Sequence, residues 1–155
     1  MARKKFAYVS FCSCEGCAME FLHLLDVKPE KIKQLDIQSC RVLQEKNNQK
    51  NLDIAFAEGA IATPSELKRL KELRKNSKKL VVVGTCALSG WPSTQRNSFS
   101  PEQLKKFQSK LSHYGQLPKI QTVPESVKTD LEIPGCPVTW EQLDDALEKL
   151  KGAKK

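Results

Sequence analysis

Phe6-Ala-Tyr-Val-Ser-Phe11 runs directly into Cys12-Ser-Cys14-Glu-Gly-Cys17. The first half is apolar and rich in residues that suit a pleated, half-buried surface, so Lys5–Phe11 is expected as a strand. The second half is too short, polar and glycine-containing to continue it. Beyond it, Phe21, Leu24 and Leu25 are spaced for one face of a helix over residues 17–26. A strand, a chemically armed turn and a helix form one unit of an α/β sheet, and the chain repeats that unit.

Pro29 disfavours helix just before it, which breaks the chain at Val27-Lys-Pro-Glu30. Residues 30–37 read as a weak amphipathic piece, Cys40-Arg-Val-Leu43 as a short second strand, and Glu45 to Asn51 as a polar loop. Leu52-Asp-Ile-Ala-Phe-Ala57 is a third strand ending in Glu58-Gly59. Thr63-Pro-Ser-Glu66 carries a capping box with proline in the first turn, and Leu67, Leu70 and Leu73 give that helix its buried side. Lys79–Val83 is wholly apolar after its lysine, as a strand covered on both faces should be. A connection rich in Gly, Pro, Ser and Asn then extends from Gly84-Thr-Cys86 through Asn97. Ser100-Pro-Glu-Gln103 opens another helix, with Leu104, Phe107 and Leu111 expected inward. Residues 115–127, with Pro118 and Pro124, read as irregular. Thr129–Ile133 is the last strand, stopped by Pro134-Gly-Cys-Pro137. Thr139-Trp-Glu-Gln142 caps the last helix, with Leu143, Ala146, Leu147 and Leu150 inward. The alternation argues for one three-layer α/β domain over residues 1–155, with a mostly parallel, flavodoxin-like sheet.

The bulk numbers fit. A chain of 155 residues, 39% hydrophobic and 28% charged, can bury a usable core as a globular protein. The start, Met-Ala-Arg-Lys-Lys, leads into one short apolar run and lacks the core and cleavage site of a signal peptide. No apolar stretch approaches the ~20 residues that span a bilayer. A cytoplasmic chain is expected, with its six cysteines reduced, buried or metal-bound rather than paired as disulfides. The net charge of +8 reads as lysine-rich helix faces and the Lys151–Lys155 tail, solvated or set against an acidic protein partner. Without a helix-turn-helix, an aromatic RNA-binding signature or an arginine-rich arm, no nucleic-acid partner is expected. A nucleophile elbow, a phosphate-cradling glycine loop and a dinucleotide fingerprint are also missing from the sequence.

What remains is sulfur. In a parallel sheet the loops leaving the carboxyl ends of the strands share one edge, where ligands bind. Cys14 and Cys17, Cys86, and Cys136 each follow a predicted strand, so topology should bring them together. Gly16, Gly84 and Gly135 lie within two residues of them. Glycine lets backbone approach a bulky cofactor and leaves amides free to donate to sulfur. Taken alone, a cysteine after a strand is a small buried hydrophobe. Four at equivalent places, two of them as C-x-x-C, instead point to one iron–sulfur cluster. Structural zinc, the alternative, usually takes paired knuckles close in sequence, whereas Cys86 and Cys136 are single and distant. Cys12 reads as a buried residue at the strand end, with a thiol neighbouring or competing with the ligands as the other option. Cys40 reads as core.

Four segments carry a family resemblance: Cys14-Glu-Gly-Cys-Ala-Met-Glu-Phe-Leu22, Glu58-Gly-Ala-Ile61, Gly84-Thr-Cys-Ala-Leu-Ser-Gly-Trp-Pro-Ser-Thr-Gln-Arg-Asn97 and Pro134-Gly-Cys-Pro137. In order and spacing they resemble the small subunit of NiFe hydrogenases and, more distantly, the 20 kDa subunit of respiratory complex I. The resemblance implies that Cys14, Cys17, Cys86 and Cys136 bind one 4Fe–4S cluster, the one nearest a NiFe centre held by a separate large subunit. Complex I relatives carry adjacent cysteines at the first position. Here Glu15-Gly16 separates them, as in the hydrogenase branch, and Trp91 to Asn97 looks most like the cytosolic NAD- or ferredoxin-linked enzymes. Val138 departs from the second proline of many relatives. No further cysteine cluster follows, so electrons would pass to a ferredoxin-like or NAD-linked diaphorase iron–sulfur subunit. No residue here is expected to be catalytic. The rivals are a complex I-like quinone-reductase subunit and a zinc-stabilised interaction module.

Glu58 follows a strand on the same edge, either as a proton-handling or interface carboxylate or as a simple helix-end charge or hydrogen-bond acceptor. His23 and His113 have no metal-ligand partner at i+4 and read as structural or surface residues. Trp91 and Trp140, just after two of the cysteine loops, read as packing residues.

Overall fold

The computed structural model describes residues 3–152. The end of the lysine tail, residues 153–155, lies outside them. The elements in order are β1 (Lys4–Ser10), α1 (Gly16–Val27), α2 (Glu30–Gln34), β2 (Leu35–Cys40), β3 (Leu52–Glu58), α3 (Pro64–Lys75), β4 (Ser77–Val83), α4 (Gly84–Ser89), a 3-10 turn (Ser93–Ser98), α5 (Pro101–His113), α6 (Val123–Ser126), β5 (Leu131–Ile133) and α7 (Trp140–Gly152). The sheet order is β2-β1-β3-β4-β5 and every pairing is parallel. This is the flavodoxin-like order, with its switch point between β1 and β3.

Side chains that alternate along each strand build two cores. On one face Phe6, Tyr8, Phe56, Val81 and Val83 meet Phe21 and Leu24 of α1 and Leu143 and Leu147 of α7. The rings of Phe6 and Tyr8 each stack on Phe21 at 5.1 Å. On the other face Ala7, Val9, Ala55, Leu80 and Val82 meet Leu70 and Leu73 of α3, Ala87 of α4 and Val123 of α6. Because β1, β3 and β4 are covered on both sides, their sequences are near-continuous apolar runs. The capping boxes at Thr63 and Ser100 form as the sequence predicts, each with proline in the first turn.

Four expectations are corrected. The second strand is Leu35–Cys40, not 40–43. As an edge strand it carries only the alternation of Leu35, Ile37 and Ser39. The apolar pair Val42 and Leu43 instead sits exposed beyond a turn, where Leu43 and Gln44 both donate their amides to the Cys40 carbonyl at 2.9 and 3.0 Å. The stretch after Cys86 is not all open connection, since it winds into α4 and the 3-10 turn, and α6 interrupts the irregular 115–127. Helix α5 forms, but its apolar stripe does not turn inward. Leu104 and Leu111 are half-buried, Phe107 is exposed, and none of them joins a core. Asn97 pins the base of this arm by exchanging side-chain hydrogen bonds with the Ile120 backbone at 2.8 and 2.9 Å.

Candidate metal centre

The loops leaving β1, β4 and β5 lie side by side at the carboxyl edge of the sheet. The first turns sharply because Glu15 adopts a left-handed conformation (φ 63°) just before α1. That is an uncommon backbone for a non-glycine residue and a site of local strain. The Ser10 hydroxyl holds it by donating to the Glu15 carboxylate at 2.7 Å. The turn leaves Cys14 exposed and folds Cys17 inward as the first buried residue of α1.

The second loop brings glycine against that buried sulfur. Gly84 has φ +84°, and a Cβ there would stand 2.7 Å from Cys17 Sγ, so no other residue fits without moving the thiol. Cys86, half-buried, follows in α4. Thr85 fastens this loop to the third, since its amide and its hydroxyl both donate to the Gly135 carbonyl, at 2.8 and 3.0 Å. Gly135 itself has φ +155° and packs against the Val138 backbone. Cys136 projects from this loop, exposed, and Gln142 of α7 steadies it by donating to the Pro134 carbonyl at 3.1 Å.

The four thiols stand near enough to feel one another's charge. Burial, first, pushes the Cys17 thiol up to about 12, and Glu58, Cys86 and Cys14 add to the rise while the Val138 N–H opposes it. Burial likewise raises Cys86, with Cys14, Cys136 and Glu58 contributing. Cys17 thus lies within electrostatic reach of Cys14 and Cys86, and Cys86 of Cys14 and Cys136, on the loops that leave one edge of the sheet. Among the described residues, no three His, Cys, Asp or Glu side chains close on one point as a single-ion site would.

The donor set suits an iron–sulfur group: soft thiols, a backbone amide already donating to one of them, and glycine where bulk would collide. Sequence reasoning did not find the Val138 amide or the Thr85 brace. A backbone donor has no side-chain signature, and Thr85 shows only as the residue next to Cys86.

The remaining candidates fall into place. Glu58 is buried, accepts the Tyr8 hydroxyl at 3.0 Å, and takes further hydrogen bonds from Ser13 and the Cys17 amide. Burial raises its carboxyl above the ordinary range against those bonds. Cys12 is only partly buried, not closed in as expected, and pairs backbone to backbone with Ala60. Cys40 is core. Trp140 packs against the first core, but Trp91 is half-exposed. His23 lies on the surface beside Glu20 and Trp140, and His113 is exposed against Tyr114.

Comparison with known proteins bears on the same residues. The model of the NADH ubiquinone oxidoreductase 20 kDa subunit family matches residues 14–150, from the first candidate cysteine to the last helix. The chain belongs to that family. Proteins similar to it include the sulfhydrogenase 2 subunit delta of Pyrococcus furiosus, 26% identical over 92% of this chain and 60% of the relative. Another is the NAD-reducing hydrogenase HoxS subunit delta of Cupriavidus necator, 25% identical over 94% of this chain and 78% of the relative. The chain spans only 51–60% of the length of several curated relatives it matches. In shape it is similar to a chain of an NAD+-reducing NiFe-hydrogenase crystallised in the H2-reduced state, with a TM-score of 0.81, 24% identity, and coverage of 99% of this chain and 94% of that one. The fold is thus one shared with a chain of an NAD+-reducing NiFe-hydrogenase, and the resemblance read from the four segments holds at the level of the family.

Proposed function

We propose that this chain is the electron-transfer small subunit of a NiFe hydrogenase, a single domain in which Cys14, Cys17, Cys86 and Cys136 hold one 4Fe–4S cluster. The observation that supports this reading is that four cysteines stand on the loops following β1, β4 and β5, at one edge of a family member's parallel sheet. When bound, such a cluster takes up and returns single electrons. The chain's own work is to hold and tune it. The four sulfurs must be deprotonated to ligate, so loading releases protons, most reluctantly from buried Cys17. The Val138 N–H favours negative charge on the Cys17 sulfur, and the buried wall of α1 and α4 keeps water from that side.

Cys14 and Cys136 are exposed, which supports a second chain seated over the rim. On this reading that chain is the large subunit with the NiFe centre, and electrons leave toward a ferredoxin-like or NAD-linked diaphorase iron–sulfur subunit. A cytoplasmic complex is the setting proposed, and among the described residues no helix is long and apolar enough to cross a membrane. The family description also spans the complex I subunit, so a quinone-reductase role is the second reading. Partners identified by mass after anaerobic co-purification separate the two.

Anaerobic purification of this chain freed of its partners should give about four irons per chain and a broad absorbance near roughly 400 nm. Cys136→Ser should lose most of that iron while the chain still folds, because Cys136 is exposed and leaves no cavity. A colourless, zinc-containing protein would overturn the assignment.

A further inference from the structure

A second feature of the carboxyl edge has no part in the cysteine rim. Strand β2 stops pairing at Cys40, opposite Tyr8, while β1 runs on to Ser10. Where β2 falls away, a half-enclosed cavity of about 170 Å³ opens, lined by Tyr8, Ser39, Arg41, Asn47, Gln49 and Arg69 among others. At a liquid share of about 30 Å³ per water, that is room for about six waters, or for one tetrahedral oxyanion.

The lining is cationic, and its two guanidiniums keep N–H groups without an acceptor. Arg69 caps the Ser10 carbonyl and lies over the Phe11 ring at 4.7 Å, yet its buried Nε–H has no acceptor. Arg41, exposed at the mouth, makes no ion pair or hydrogen bond among the described residues, and its charge bears on Arg69. Two guanidiniums therefore line one cavity that has no carboxylate in its wall; Glu66, outside the wall, supports the charge on Arg69, and Arg41 opposes it. Glu66, the acid whose charge bears on Arg69, spends its Oε2 on the amides of Ala62 and Thr63 at 2.9 and 3.0 Å and makes no direct ion pair with Arg69 among the described residues. The neutral neighbours are already satisfied: Ser39 donates to Asn47 Oδ1 at 3.0 Å and accepts from Gln49 at 3.3 Å. What is left over is guanidinium N–H, the donor that matches phosphate oxygens.

We infer that Arg41 and Arg69 form a binding site for a phosphate group, either free phosphate or the end of a phosphorylated small molecule whose remainder leaves through the open mouth at Arg41. The site stands whether or not the cysteines carry a cluster. Through the Ser10 carbonyl and hydroxyl it adjoins the turn that presents Cys14 and Cys17.

The test titrates the purified full chain with inorganic phosphate and, separately, with glycerol 2-phosphate, against chloride at matched ionic strength. Thermal unfolding and the phosphorus NMR linewidth are the readouts. A saturable rise in Tm with phosphate beyond that with chloride is expected. Arg41→Gln should weaken it about tenfold, the worth of one charge-assisted contact. Binding of inorganic phosphate alone assigns a free-ion site, and binding of both assigns a phosphomonoester site. Arg69→Lys, which keeps the charge but loses the fork, should also weaken binding. If that variant does not fold, Arg41→Gln decides alone, since the Arg41 side chain holds nothing in the fold. A shift no larger than that with chloride, or one that Arg41→Gln leaves unchanged, would overturn the site.

Discussion

Helices α5 and α7 look alike in sequence and live differently in the fold. Each spans 13 residues, each opens with a reciprocal hydroxyl–glutamine cap, and each carries an apolar stripe. The caps are Ser100 with Gln103, and Thr139 with Gln142. In α7 the stripe of Leu143, Ala146 and Leu147 closes the core beneath Phe6, Phe21 and Val81. In α5 the corresponding stripe meets no core, and the ring of Phe107 has Phe99 as its aromatic neighbour at 5.8 Å. Local pattern specifies a helix and its apolar side; it does not specify what that side will touch. The capping energy is local and similar in both. The burial energy, several times larger, belongs to α7 alone.

The largest test of this contrast is Leu143→Ala. The residue is fully buried, so truncation should cost about 3 kcal/mol through lost transfer energy and the cavity left behind. Denaturant unfolding reads it as a lower midpoint at unchanged slope. A cost below about 1 kcal/mol would mean that α7 is no better packed than α5.

The same contrast explains what could be read in advance. The sheet was legible because β1, β3 and β4 are buried on both faces and so spell their strands in continuous apolar letters. The candidate cysteines were legible because the fold type places loops after parallel strands on one edge. Edge strand β2 was misplaced by its half-exposed alternation, which local apolarity at Val42 and Leu43 outweighed. The fate of α5 was not legible, since long-range contacts decide it. Arg69 showed only as a charge on an amphipathic helix, because the carbonyl it caps is unpaired only where β2 ends.

A smaller effect sharpens the comparison through charge. Asp144 of α7 faces Lys28 and Lys31, and Lys31 also meets Glu148. The Lys31 side chain is only 6% exposed, so these pairs escape much of the screening of surface salt bridges. Burial alone would raise the Asp144 carboxyl, but the hydrogen bond from Lys28 and the ion pair with Lys31 outweigh it and hold it below the ordinary range. A group depressed in the folded state contributes stability that is present above the unfolded pKa and lost as pH falls through the folded one. Asp144→Asn should therefore cost about 2 kcal/mol at pH 7, less than a wholly unpaired buried charge because Lys31 keeps Glu148. The gap from the parent should begin to narrow below about pH 4, where the unfolded chain takes up the proton first, and go on narrowing until the folded carboxyl is protonated too. Unfolding curves at pH 7 and pH 3 check it, and a gap that does not change with pH would assign the cost to packing instead. Helix α5 has no such pairing among the described residues.

The smallest effect is the most informative about the arm. Phe107→Ala removes a ring that is already 42% exposed and joins no core. Truncating a buried phenylalanine typically costs 3–5 kcal/mol, whereas surface changes stay within about half a kcal/mol. The isolated chain should follow the second figure, with a loss below about 1 kcal/mol in denaturant unfolding. Amide exchange makes the test independent of the global midpoint. The interior amides of α5 should exchange faster than those of α7 in the parent chain, because opening the arm exposes little that is not already exposed. Phe107→Ala should speed the α5 amides further while leaving those of α7 unchanged. Equal protection of the two helices in the parent, or a cost for Phe107→Ala approaching that of Leu143→Ala, would mean that the α5 stripe is covered in solution and that the two helices do not differ as described.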